Sequence, residues 1–277
     1  MIRLMYLLAA LLLLTLFGFG SYLYFNQQRF ILPARVNAVA APNPQLLFEY
    51  TSLTTPEGHT LHGIIFLPEG PTTDLILAFP GNGHNPIGFA NFLKTEVYPD
   101  RDDVAIAAFS YRGYPNGHTP PSEGTPGQTA MYADAELIYD KLTERFRPQQ
   151  VKAVGYSIGT AVAAHLATAR TLNAMALVAP IASVRRIAQG RHPWLPVGLL
   201  LRHPFATEDI IADISVPTTL IYSPTDGLVP ARHVTQVLHR KNPAMPFVPV
   251  PHTNHVSLAT SPQLPGLIQQ ALGLTSR

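Results

Sequence analysis

From Leu4 to Phe25 the chain carries no charged side chain and almost no polar one. Read as a helix, about 22 residues rise ~33 Å, enough to cross a hydrocarbon core ~30 Å thick. Tyr6 stands near one end and Tyr22 and Tyr24 near the other, where interfacial rings belong. The run has no polar face, so it does not read as the core helix of a soluble domain. It is also longer than the ~7–15 apolar residues of a usual signal-peptide core. Residues 1–25 therefore predict an N-terminal transmembrane anchor. The alternative is a signal segment, with Gly18-Phe19-Gly20 as its small-x-small site. Residues 26–45 contain Pro33, Pro42 and Pro44 and no period, and read as a linker.

Beyond residue 45 the pattern changes. Leu46–Leu53 and Leu61–Leu67, separated by Pro56-Glu57-Gly58, predict a hairpin. Short apolar runs follow at Leu75–Phe79, Val104–Phe109, Val151–Tyr156, Met175–Ala179, Thr218–Tyr222 and Phe247–Val250. Helical stretches lie between them, notably Thr129–Phe146 and Ile158–Ala169. A hairpin followed by alternating β and α units predicts an α/β fold: a mostly parallel central sheet of about eight strands with helices on both faces. Residues 46–277 form one such domain. Within it, residues 181–214 separate two strands and carry the apolar stretch Pro193–Phe205, which reads as a short helical cap. Ligands on such sheets bind beyond the carboxyl ends of the strands.

Composition narrows the function classes. Charged residues are 13% of the chain, against a usual ~25%, and the net charge is +2. No Lys/Arg cluster could track a phosphate backbone, so no nucleic-acid partner is expected. Cysteine is absent, which removes disulfides, thiol nucleophiles and Cys-based metal sites. His59 and His62 lie three apart on a predicted strand and so face opposite ways. No carboxylate–His cluster has ligand spacing, and neither a metal nor a cofactor is expected.

The chemistry concentrates at Gly155-Tyr156-Ser157-Ile158-Gly159, a G-x-S-x-G motif between a predicted strand and a predicted helix. There a serine sits on a tight, strained turn and projects its hydroxyl over the sheet edge. The new helix aims its N-terminal dipole at any oxyanion that develops. A serine hydroxyl needs a base. Asp226 follows the strand Thr218–Tyr222, and His255 follows the strand Phe247–Val250, in the order serine, acid, histidine that this architecture uses. Ser157 is thus the candidate nucleophile, His255 the base and Asp226 its orienting acid, with His252 the rival for the base. The backbone N–H of Ile158 and one from Pro80-Gly81-Asn82-Gly83, namely that of Asn82, with Gly83 second, are the candidate oxyanion donors. Trp194, Leu199, Leu200 and Leu201 of the cap are candidate substrate-binding residues. Asp209 and Asp213 precede a strand and read as capping or solvated.

These residues resemble the α/β-hydrolase fold and, within it, the bud-emergence (Bem) and ABHD-type group, many of whose members are membrane-anchored serine hydrolases. The resemblance runs from about Phe48 to the C-terminus. It rests on Phe79-Pro80-Gly81-Asn82-Gly83, on Tyr111-Arg112-Gly113-Tyr114 with Pro121-Ser122-Glu123-Gly124, and on Tyr132-Ala133-Asp134-Ala135. Pro80 departs from the family's usual histidine, Ser110 from its aspartate and Pro115 from its glycine. The resemblance implies cleavage of an acyl ester or thioester in a small molecule or lipid, as by a carboxylesterase, lysophospholipase or depalmitoylase. Arg112 is expected to tie its loop through a carboxylate. A catalytically inactive scaffold and a peptidase using the same triad are the alternatives. The single N-terminal span ahead of one large domain puts that domain in the periplasm or a lumen.

Overall fold

The protein is described by a computed structural model covering residues 2–232 and 234–274. Its centre is an eight-stranded sheet: β1 (Phe48–Thr54), β2 (Thr60–Phe66), β3 (Asp74–Phe79), β4 (Val104–Phe109), β5 (Gln150–Tyr156), β6 (Ala174–Val178), β7 (Thr218–Tyr222) and β8 (Phe247–Pro249). The spatial order is β1-β2-β4-β3-β5-β6-β7-β8. β1 pairs antiparallel with β2, and β2 with β4; every later pairing is parallel.

The parallel strands read as unbroken apolar runs because both their faces are covered. All six residues of β3 and of β4 are buried. Alternation sends Leu75, Leu77 and Phe79 into one core and Ile76 and Ala78 into the other. On the first face pack α3 (Gln128–Phe146) and α4 (Ile158–Ala169); on the second, α2 (Pro86–Phe92) and α8 (Leu264–Ala271). α4 is buried almost all round, and its alanines and glycine let it lie close to the sheet.

Between β6 and β7 the cap contributes three short helices: α5 (Val184–Arg191), α6 (Val197–Leu200) and α7 (Thr207–Ile210). Ser183 caps α5 by accepting from the Arg186 N–H at 3.1 Å, and donates to Glu208 of α7 at 2.8 Å. The Arg186 guanidinium closes on the same carboxylate at 2.5 Å. These contacts fasten the two ends of the cap to each other.

The N-terminal helix α1 runs from Ile2 to Ile31, six residues past the anchor boundary set at Phe25. Nothing between Asn26 and Ile31 breaks a helix, and Pro33 is the first residue that forbids its continuation. The expected linker therefore begins in helix. Its remainder is also bound to the domain: Leu32 is buried, the Asn37 N–H donates to Gly83 O at 2.8 Å, and the Asn43 N–H to Asn91 Oδ1 at 2.8 Å.

Candidate active site

The turn from β5 into α4 carries Ser157 at φ +52°, ψ −118°, a conformation that L side chains rarely adopt. Two glycines permit it. A Cβ on Gly159 would lie 2.0 Å from Phe79 O, and one on Gly155 would lie 2.6 Å from Gly159 O. The Ser157 N–H donates to Val178 O of the neighbouring strand at 2.8 Å, which holds the turn against β6. Thr160 ties its hydroxyl to Ser157 O at 2.5 Å. Strain at the serine is thus over-determined by its surroundings.

Asp226 follows β7 in a loop that spends one of its carboxylate oxygens locally. Oδ1 accepts from the backbone N–H of Leu228 at 2.8 Å and of Val229 at 2.7 Å. Oδ2 is left to face His255 Nδ1 at 2.7 Å. The pair is shielded, with side-chain exposures of 2% for Asp226 and 12% for His255. A carboxylate at Nδ1 makes that nitrogen the donor, so the neutral ring keeps Nε2 as its proton acceptor. His252, the rival base, is exposed and sits at φ +59° on the preceding turn.

Tyr156 and His84 complete the surroundings of His255, and neither stands out in the sequence as a partner of that residue. The Tyr156 hydroxyl donates to His255 O, and burial pushes that phenol well above its ordinary value. His84 lies against Tyr156 with ring centres 4.6 Å apart. Burial, and secondarily the proximity of His255, hold the His84 imidazole below its usual range.

The loop after β3 reaches Ser157 directly. A Cβ on Gly81 would stand 3.3 Å from Ser157 Cβ. Tyr111 donates to Pro80 O at 2.8 Å and Tyr114 to Asn82 Oδ1 at 2.7 Å, so two tyrosines fix this loop. The Asn82 amide then donates to Ile31 O, the end of α1, at 2.8 Å. Between the tyrosines, Arg112 grips buried Asp134 through two nitrogens, at 2.7 and 3.1 Å, and reaches Glu57 at 3.2 Å. Glu123 instead accepts from the Thr60 N–H at 2.7 Å. Arg112 is therefore a structural tie through Asp134 and Glu57.

An apolar cavity of about 460 Å³ opens over Ser157, Ile158 and Asn82. Trp194, Leu200 and Leu201 of the cap line it. Leu199 does not: it is 84% exposed and outside the cavity. On the single turn of α6, side chains advance by about 100° per residue, so a turn that sends Val197 and Leu200 inward sends Leu199 out. The opposite wall comes from α1, through Phe19, Leu23, Gln27, Phe30 and Ile31. Those positions recur on one helical face, and Gln27, a polar residue continuing an apolar helix, was the sequence signal for it. A depression of mixed polar and apolar lining, about 890 Å³, lies at the other end of the strands, around Lys152, Asn173 and Thr218, away from these groups. No cluster of three or more potential metal ligands occurs among the described residues.

Comparison with known proteins agrees with this architecture. Residues 75–197 match the family model described as the alpha/beta hydrolase fold. The chain is 25% identical over 198 residues to the lysophosphatidylserine lipase ABHD12 of Danio rerio, an overlap covering 60% of this chain and 50% of the lipase. The chain has the α/β-hydrolase fold. It is also 29% identical over 154 residues to an uncharacterized protein of Mycobacterium tuberculosis, covering 55% of this chain and 53% of that one. It spans about half the length of both relatives. An uncharacterized membrane protein of Saccharomyces cerevisiae is 25% identical over 227 residues, 78% of this chain and 77% of its own. Among solved structures, an esterase from Pyrococcus furiosus superposes with a TM-score of 0.66 at 16% identity, covering 87% of this chain and 96% of that one. α1 is long and apolar enough to cross a membrane.

Proposed function

We propose that this α/β-hydrolase is a membrane-anchored serine hydrolase that cleaves acyl esters or thioesters. The observation that carries the reading is the 2.7 Å contact between Asp226 Oδ2 and His255 Nδ1, on the strand-end rim that also holds strained Ser157. His255 Nε2 takes the Ser157 proton as Oγ attacks the substrate carbonyl. The tetrahedral oxyanion is received by the N–H groups of Ile158, at the start of α4, and of Asn82, in the loop after β3. The bond to the leaving group breaks as His255 returns the proton to it, leaving an acyl-serine. Water, deprotonated by the same nitrogen, then releases the carboxylic acid. Asp226 holds the ring's tautomer and stabilises the imidazolium throughout.

The apolar cavity supports an acyl chain over a polar peptide, and the lipase name of the ABHD12 relative agrees with a lipid ester. Apolar α1 and the yeast membrane protein support the anchor. Arg3 flanks one end of the span and Arg29 and Arg35 the other, so charge bias is nearly balanced. The single span ahead of one large domain supports an exoplasmic domain, in the periplasm or a lumen.

The deciding experiment is labelling with a fluorophosphonate probe, followed by ester, thioester and peptide panels. Wild type should label and Ser157→Ala should not, with kcat for ester hydrolysis falling by roughly 10⁴–10⁶. Labelling and turnover that survive Ser157→Ala overturn the assignment. A folded wild type that neither labels nor hydrolyses is a scaffold, and turnover confined to the peptide panel makes it a peptidase. External protease added to sealed spheroplasts tests the orientation: a domain that stays protected is cytoplasmic.

A further inference from the structure

α1 is too long to serve only as a membrane span. Its 30 residues extend ~45 Å, against a hydrocarbon core of ~30 Å, so roughly its last ten residues stand beyond the core. Those residues are docked on the domain. Gln27 is 6% exposed; its amide donates to Leu200 O at 3.0 Å and its oxygen accepts from the Arg202 N–H at 2.6 Å. Arg202 in turn lies over the Tyr24 ring, 5.5 Å from its centre. Further along, Asn82 bonds the carbonyl of Ile31. The helix is thus fastened to the cap at one level and to the loop beside Ser157 at another.

The face between those ties belongs to the cavity. Phe19, Leu23, Phe30 and Ile31 line it opposite Trp194 and Leu201, and Phe19 stacks on Trp194 with centres 6.4 Å apart. Phe19 and Ile31 are ~18 Å apart along the helix axis, the length of a long acyl chain and far beyond an acetyl group. The Phe19 end falls within the last turn of the part that fits inside the core; the Ile31 end is at the nucleophile. The cap residue at the Phe19 level is apolar and uncovered: Trp194, stacked on Phe19, is 68% exposed. An exposed tryptophan at the height of the membrane interface fits immersion in lipid headgroups rather than water.

We propose that the seam between α1 and the cap is a lateral port from the bilayer. The acyl chain of an ester lipid held in the membrane enters between Phe19 and Trp194, and lies along Leu23 with its carbonyl at Ser157. This rests on the serine-hydrolase reading and specifies its substrate as membrane-resident. α1 is then a specificity-determining wall of the site as well as a tether, and Leu23 gauges the chain.

The test uses the full chain in phosphatidylcholine vesicles, with p-nitrophenyl esters from butanoate to palmitate and fluorophosphonate labelling of Ser157 in parallel. Leu23→Trp narrows the seam, Leu23→Ala widens it, and Phe25→Trp is the control on a 72%-exposed position outside the cavity. Blocking two methylenes of a bound chain should lower the palmitate-to-butanoate ratio of kcat/KM about tenfold in Leu23→Trp. Leu23→Ala should move the optimum to longer chains, and Phe25→Trp should match wild type. If all three variants label normally and share the wild-type chain profile, the port is refuted while the serine-hydrolase reading stands. If wild type itself fails to label and to hydrolyse, that reading falls and takes the port with it.

Discussion

At Asp226 the two carboxylate oxygens have different duties, and this makes a sharp expectation for Asp226→Asn. Oδ1 must remain an acceptor, because the N–H groups of Leu228 and Val229 both point at it. An amide therefore keeps its oxygen there and turns its NH₂ toward His255 Nδ1. That nitrogen must then accept, and the ring proton moves to Nε2, where it blocks the base. Activity should fall by roughly 10⁴ while thermal unfolding barely moves. Gly159→Ala should act oppositely, on structure first. Its Cβ would press within 2.0 Å of Phe79 O, a backbone atom that cannot turn aside. Fluorophosphonate labelling should vanish although Ser157 is unchanged. His84 carries a pH expectation. Its folded value is depressed below the ordinary ~6.5, so in the window between the two the unfolded chain binds the proton and the folded one does not. Stability is complete above pH ~6.5 and declines as pH falls through that window. His84→Phe should narrow the difference in melting temperature between pH 7.5 and pH 5.5; an unchanged difference would remove His84 from the account.

At the scale of elements, the ties between segments decide stability. Arg112 joins the loop after β4 to α3 by gripping Asp134, whose side chain is 6% exposed. Removing one partner of a buried pair costs ~3–5 kcal/mol, and Arg112→Ala should lower the melting temperature of the detergent-solubilised protein accordingly. Asp134 then stays buried only by taking a proton, since burial already raises its carboxyl. The sequence made the strands legible because parallel strands buried on both faces leave apolar runs, as at Val104–Phe109 and Thr218–Tyr222, whose ends match the structure. It made Ser157, Asp226 and His255 legible because each follows such a run, which sets its end of the sheet. Two features were hidden. An all-apolar helix does not distinguish a lipid-facing side chain from a cavity-facing one, so the part of α1 on the cavity wall was invisible except through Gln27. The four residues of α6 are too few for periodicity to fix a face, so the sequence does not separate outward Leu199 from its cavity-lining neighbours Leu200 and Leu201.

For the whole molecule, the docked helix changes what a truncated protein can report. Cutting after residue 25 strips Phe19 and Leu23 from the cavity wall while leaving Ser157, Asp226 and His255 in the domain. A cut before residue 18 keeps that wall. The two truncations contain the same domain, fastened to α1 through the same Gln27 contacts with Leu200 and Arg202. Residues 18–277 should therefore retain a preference for medium over acetyl chains, each buried methylene adding up to ~0.8 kcal/mol until the cavity is filled. Residues 26–277 should hydrolyse acetyl esters at a similar rate but lose most of that increment, because the chain would lie against water on one side. Trp194→Ala should weaken the increment in the longer protein and change little in the shorter, where the stacking partner Phe19 is already gone. The measurement is kcat/KM across a p-nitrophenyl ester series for the four proteins. Equal slopes in the two truncations would mean that the cap alone holds the acyl chain and that α1 contributes no more than attachment.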